Sequence, residues 1–242
     1  MAERPISTVP RVVLGLLAAA LASQIALKMA EPRPAATALD LSDPPPHAAL
    51  RLAAMGEPIA TANMLSLYLQ AFDTQPGISI PFKDLDYVKL ESWLTRILEL
   101  DPPGQYPLMM ASQVYGQVLP DLKKQRQMAE FVYRQFLIDP NRRWRWLAHA
   151  AIMAKHRLSD PALALRYARA LSEHANVSSV PDWAKQMQIF VLEDMGEIEA
   201  AKILLGGLLV SGTVTDPHEM HFLTERLKAL QSAEKSSTTS KK

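Results

Sequence analysis

Between His47 and about Leu230 apolar residues return every three or four positions, and most breaks in that rhythm carry a proline or a glycine. Such spacing builds helices, and the strict alternation of a half-buried strand hardly occurs. The region is therefore expected to be all-α, with helices over about 47–55, 58–72, 84–100, 105–119, 121–138, 142–157, 161–175, 181–195, 197–210 and 217–231. The breaks have chemical causes. Gly56-Glu57-Pro58 separates the first pair, and Pro76-Gly77 marks a loop. Ser159-Asp160-Pro161 and Asp216-Pro217 each set a capping carboxylate before a proline at the first helical position, where no amide hydrogen is lost. With only 9 glycines against 18 prolines, the chain lacks the turn chemistry of an all-β protein and of a phosphate-cradling α/β protein. Ser232–Lys242, rich in Ser, Thr and Lys, has no apolar area to bury and is expected to be a disordered tail.

Ahead of the helices, Val12–Leu27 forms a 16-residue apolar run interrupted only by Ser23 and Gln24. As a helix it covers about 24 Å, short of a hydrocarbon core of roughly 30 Å, and Met29 and Ala30 extend it if Lys28 snorkels. Arg4 and Arg11 precede the run, which keeps the N-terminus cytoplasmic and sends the remainder across the membrane. A cleaved signal segment, with Ala20-Leu21-Ala22 as the small-x-small site, is the competing reading. Residues 31–46 hold five prolines and are expected to be an extended, semi-rigid linker.

The terminating prolines Pro102, Pro140, Pro181 and Pro217 lie 38, 41 and 36 residues apart, a spacing that suits repeated pairs of antiparallel helices. Met195-Gly196-Glu197-Ile198-Glu199-Ala200-Ala201, followed by Leu205 and Leu208 in the unit Trp183–Leu209, resembles the turn and close packing of the tetratricopeptide-repeat superfamily. Ser159-Asp160-Pro161 through Leu171 is similar to the second helix of such a repeat, and Ala129, Tyr133, Phe136 and Asp139-Pro140 follow more loosely. The usual first-helix pattern of Trp, Leu-Gly and Tyr is largely absent, so the repeats are degenerate over residues 84–210. Upstream, Leu52, Gly56, Ala60, Asn63-Met64-Leu65, Leu69-Gln70, Asp86-Tyr87 and Leu98–Pro102 resemble membrane-anchored repeat proteins of bacteria. The resemblance implies an N-terminal single transmembrane helix followed by a TPR-like α-solenoid that binds proteins or peptides, with no known reaction. Fold alone does not establish function.

Net charge is only +1, yet it is unevenly spread. Residues 121–170 carry 11 Lys/Arg against 4 Asp/Glu, a net of +7, and residues 171–230 carry 4 against 9, a net of −5. Asn141-Arg142-Arg143-Trp144-Arg145-Trp146 interleaves cations with aromatics, as a surface gripping an acidic peptide would. On a helix the two tryptophans point about 200° apart, so one of them belongs to the core. Arg142, Arg143, Arg145 and Lys155 are the candidate partner-binding residues.

Catalytic signals are absent from the sequence. Without cysteine there is no disulfide framework, thiolate zinc site or cysteine nucleophile. His218-Glu219-Met220-His221 spaces its imidazoles i, i+3, whereas a zinc protease requires His-Glu-x-x-His; it reads as a solvated first helical turn. His149 and His156 stand two turns apart, and Asp84 and Asp86 read as a helix start. Gly206-Gly207 inside an apolar helix suggests tight helix packing. No cofactor, small-molecule substrate or nucleic acid is expected. The sequence points to a bacterial-type, single-pass inner-membrane protein, attached through residues 12–30, whose periplasmic helical domain recognises a protein or peptide partner without catalysis. The alternatives are an exported soluble binding protein released after Ala22 and, from another class, a metal-dependent enzyme using His218 and His221.

Overall fold

The computed structural model describes residues 9–30, 37–118, 120–175, 177, 179–212 and 214–239. The arginine at position 4, the first part of the proline-rich stretch (31–36) and residues 240–242 lie outside them.

The first helix, α1 (Arg11–Ala30), has 20 residues, all of them exposed. It runs through Lys28, and at 1.5 Å per residue it is about 30 Å long, so it is long and apolar enough to cross a bilayer. Ser23, the polar interruption, donates its hydroxyl hydrogen to the carbonyl of Ala19 at 2.9 Å, so helix backbone satisfies it.

The remaining described chain is helical, as the spacing predicts. It comprises α2 (His47–Ala53), α3 (Pro58–Ala71), α4 (Tyr87–Leu100), α5 (Tyr106–Met109), α6 (Leu122–Ile138), α7 (Pro140–His156), α8 (Pro161–His174), α9 (Asp182–Lys185), α10 (Met187–Asp194), α11 (Ile198–Val210) and α12 (Pro217–Thr239). A hairpin of two-residue strands, Thr74–Gln75 and Ile78–Ser79, turns through Gly77 at φ +79°. Aspartates set the helix starts. Asp86 accepts the Val88 and Lys89 amides, Asp121 that of Lys124, Asp139 that of Arg142 and Asp160 that of Leu163. Each such cap contributes about 1 kcal/mol.

Three boundaries depart from the periodicity. The expected helix 105–119 holds only one α-helical turn, then a π-helical turn (Met110–Val114) and a 3₁₀ turn (Tyr115–Gln117). At Gly116 the backbone passes so close that a Cβ would sit 2.6 Å from the Ala111 carbonyl oxygen. The helix expected over 181–195 divides at Gln186, where ψ opens to −6°. At the C-terminus the backbone of residues 232–239 continues α12, where composition led us to expect a disordered tail. Extending an existing helix adds one hydrogen bond per residue fixed, and Ala233, Glu234 and Lys235 are good helix formers.

From α6 onward each long helix packs on its neighbours in sequence: α6 on α7, α7 on α8, α8 on α10, α10 on α11 and α11 on α12. The main core gathers Leu94, Ile97, Leu108, Met128, Phe131 and Phe136 around Tyr115 and Tyr167, while a second cluster joins Ile189, Leu205 and Leu223. Tyr87 donates to the Tyr115 carbonyl at 3.0 Å and Tyr115 to that of Leu69 at 3.2 Å, so both buried phenols are satisfied. Burial pushes both hydroxyls far above the ordinary tyrosine pKa, with Asp121 adding for Tyr87 and Asp73 for Tyr115.

The last part of the proline-rich stretch does not behave as a free spacer. Leu41 is only 2% exposed, and Trp93 donates its indole hydrogen to the Ser42 carbonyl at 2.8 Å. The Gln75 side chain brackets Leu39, accepting its amide at 2.8 Å and donating to its carbonyl at 2.9 Å. A buried leucine among the prolines holds residues 39–46 to the helices.

Candidate partner-binding surface

The short helices α9 and α10 separate two surface depressions. One, of about 240 Å³, lies between them and α7, lined by Ile152, Lys155, His156, Trp183, Met187 and Phe190. The other, of about 540 Å³, lies between α9–α10, the end of α8 and α11; Ile189, Leu204, Leu208 and Val214 line it with Lys185 and Gln188.

The first is the more distinctive chemically. Trp183 is 51% exposed and stands edge-on to Trp144, ring centroids 5.7 Å apart at 72°. The Arg145 guanidinium lies over the other part of this pair, 5.6 Å from the Trp144 ring centroid, within cation–π range. Arg145 is exposed and has no carboxylate partner among the described residues. An aliphatic and aromatic trough with a cation at its edge can take an apolar side chain while meeting a neighbouring carboxylate.

The four cations predicted as one basic wall have different fates. Arg142 is exposed, with only a loose approach to Asp139 at 3.6 Å. Lys155 is paired with Asp194 at the rim of the trough. Arg143 is 3% exposed and does not belong to a binding surface. Its guanidinium donates to the Gln135 carbonyl at 2.8 Å, to Gln135 Oε1 at 2.9 Å and to the Pro102 carbonyl at 3.1 Å. It thus holds the ends of two earlier helical segments, where carbonyls lack helical partners. Burial lowers its pKa, opposed by the nearby Asp139. The correction follows from helix geometry, since Arg143 lies on the face of α7 that carries Leu147 and Ala150 into the core.

Both tryptophans of the cluster are partly buried, and Trp146 donates its indole hydrogen to Gln105 Oε1 at 2.7 Å. Trp183, Ile152, Met187 and Phe190 carried no signal as a surface in the sequence, because apolar residues at helical spacing read as core.

Much of the local positive charge is spent on neighbouring helices. Arg126 pairs with Asp160, Arg134 with Glu91 and Arg166 with Glu130, while Lys124 donates to the Lys83 and Leu85 carbonyls. The remaining singled-out residues also have places. His218 and His221 are exposed at the start of α12, with the His218 amide capped by Asp216 at 2.8 Å. Among the described residues no three His, Asp or Glu side chains gather as metal ligands. His149 lines a small cleft of about 20 Å³ with Ser112 and Gln125, and burial, aided by Arg157, lowers its pKa. Gly206 and Gly207 do not serve tight packing within this chain: a Cβ on either would meet nothing within 4 Å.

No family model, curated protein or solved structure matches the chain.

Proposed function

We propose that the chain is a membrane-anchored helical-repeat interaction protein. In this reading α1 anchors it in the inner membrane, the helical domain lies outside the cytoplasm, and the trough between α7 and α9–α10 captures an apolar, acidic segment of a partner protein. No catalytic step is involved. The observation that carries the reading is the half-exposed Trp183 beside Trp144 and Arg145, since aromatic and arginine anchors in a trough dominate protein recognition energetics.

The solenoid arrangement is part of the same proposal. Sequence-neighbour packing supports it, as does the reach of the ion pairs between helices. Arg226–Glu193, Arg126–Asp160, Arg166–Glu130, Lys155–Asp194 and Arg134–Glu91 join residues 33, 34, 36, 39 and 43 apart. These separations fall near those of the terminating prolines, as equivalent helices of successive units would give.

Site-specific photocrosslinking in intact membranes tests the binding site. A photoreactive phenylalanine at Phe190 should give a discrete adduct, and Trp183→Ala with Arg145→Glu should abolish it. The same probe at Glu173, exposed on α8, should give none. Equal adducts at both positions, or an adduct indifferent to the two substitutions, would refute this assignment.

A further inference from the structure

The helix α3, Pro58–Ala71, contains no charged residue and packs with its larger side chains outward. It buries Ala62, Ser66 and Leu69. Met64 and Leu67 are 71% and 61% exposed, and with Ala60 and Ala71 they fall at i, i+4, i+7 and i+11, along one exposed face. A helix serving only the core would reverse that arrangement. The preceding turn exposes apolar side chains as well. Leu52 and Met55 are 82% and 90% exposed, and Met55 sits at φ +47°, a conformation uncommon outside glycine.

The attachment of the chain says what lies near this face. Gln75, whose side chain brackets Leu39, also donates to the carbonyl of Phe72, the C-cap residue of α3, at 3.4 Å. The proline-rich stretch is therefore clamped beside the end of α3. Since α1 ends at Ala30, only residues 31–38 remain as tether, at most about 28 Å of chain. So short a tether keeps a bilayer within reach of α3 in every molecule, whatever the protein concentration.

We propose that the outward face of α2–α3 is a lipid-contacting surface, lying in the headgroup–acyl boundary of the bilayer that α1 enters. Met55, Met64 and Leu67 enter the acyl boundary, and Arg51 and Tyr68, both exposed, reach headgroup level. The proposal rests on the reading of α1 as an anchor and adds a second, in-plane contact that fixes how the domain is presented.

The cysteine-free sequence permits a direct test with single-cysteine variants of the full chain: Met64→Cys, Leu17→Cys in α1, and Glu173→Cys as an exposed control. Each carries a polarity-sensitive fluorophore in vesicles of phosphatidylethanolamine and phosphatidylglycerol, with or without a lipid bearing a shallow doxyl quencher. The expected result at position 64 is a blue shift with loss of intensity on adding the quencher lipid, and neither change at position 173. Water-like emission at 64 with quenching at 17 would overturn the lipid face and leave the anchor standing. A blue shift at 64 without lipid quenching would mean that protein covers the face, which also overturns the proposal. Quenching at 64 but not at 17 would remove the anchor and keep the lipid face, and quenching at neither position would end both.

Discussion

Replacing Arg143 should damage folding, whereas replacing Arg142 or Arg145 should not. In Arg143→Ala the Gln135 carbonyl, Gln135 Oε1 and the Pro102 carbonyl lose donors at 2.8, 2.9 and 3.1 Å. Each of the two buried Gln135 acceptors costs about 1–3 kcal/mol when abandoned, whereas water can reach the carbonyl of the exposed Pro102, and the loss is partly offset because no cation need be desolvated. A net loss of about 3 kcal/mol follows, which for a domain of this size lowers the melting temperature by about 6–12 °C. Arg143→Met retains the apolar stem and should recover part of the loss, isolating the polar contribution. Arg142→Ala and Arg145→Ala change exposed side chains and should stay within about 0.5 kcal/mol of wild type. Thermal unfolding of the full chain in detergent, followed by far-ultraviolet circular dichroism, reads all four variants. An unshifted Arg143→Ala that loses the crosslinked partner would refute the reasoning, because Arg143 would then be a surface binding residue. By the same logic, reversing all three arginines together would lose the partner through unfolding and identify no site.

Three other outcomes follow from the packing, the caps and α1. Leu41→Ala should cost about 2–5 kcal/mol as a buried truncation, and Trp93→Phe about 1 kcal/mol for one hydrogen bond, with faster proteolysis across residues 37–46 in both; unchanged cleavage would mean that the stretch is not held. Asp160 has a depressed pKa, chiefly from the Leu163 amide and then from Arg126, so its stabilisation is present above the ordinary carboxylate pKa and lost as pH falls through the lower folded value. Melting temperature should therefore fall in acid below about pH 4, less steeply in Asp160→Asn, and identical acid profiles would remove this carboxylate from the account. Intact-mass measurement of membrane-extracted protein should find α1 retained, and a mature N-terminus near Ser23 would favour the released, soluble form.

The helices were legible because burial and helical period coincide, as in α4, α6 and α8, and because aspartate and proline mark their starts. What the sequence hid are the places where inward and outward residues share one chemistry. Met64 and Leu67 have the composition of a core and lie outside, while Arg143 has the composition of a surface and lies inside. Leu41 was concealed by the prolines around it, and the division at Gln186 by an apolar pattern that continues across it. For the candidate site, charge and aromatic interleaving point to Trp144 and Arg145, which the structure stacks together. Trp183 lies 39 residues beyond Trp144, and only the packing of α9 on α7 brings their rings together.

That packing also changes the expected role of salt. A +7 segment suggests capture by a basic wall and steep loss of binding as salt rises, but Lys155, Arg126, Arg134 and Arg166 are already matched to carboxylates and Arg143 is buried among carbonyls. The exposed cation that remains beside the trough is Arg145, over the Trp144 ring that meets Trp183 of the aromatic and aliphatic lining. Raising ionic strength from about 0.15 to about 0.5 M shortens the Debye length from about 8 to about 4 Å, which weakens exposed charge pairs and leaves apolar contact at Trp183 largely intact. Affinity for the captured partner, measured across that range, should fall by only about a few-fold, whereas Trp183→Ala alone should cost tenfold or more, about 1.4 kcal/mol. A steep salt dependence with an indifferent Trp183 would return the binding energy to charge and overturn the trough as its source.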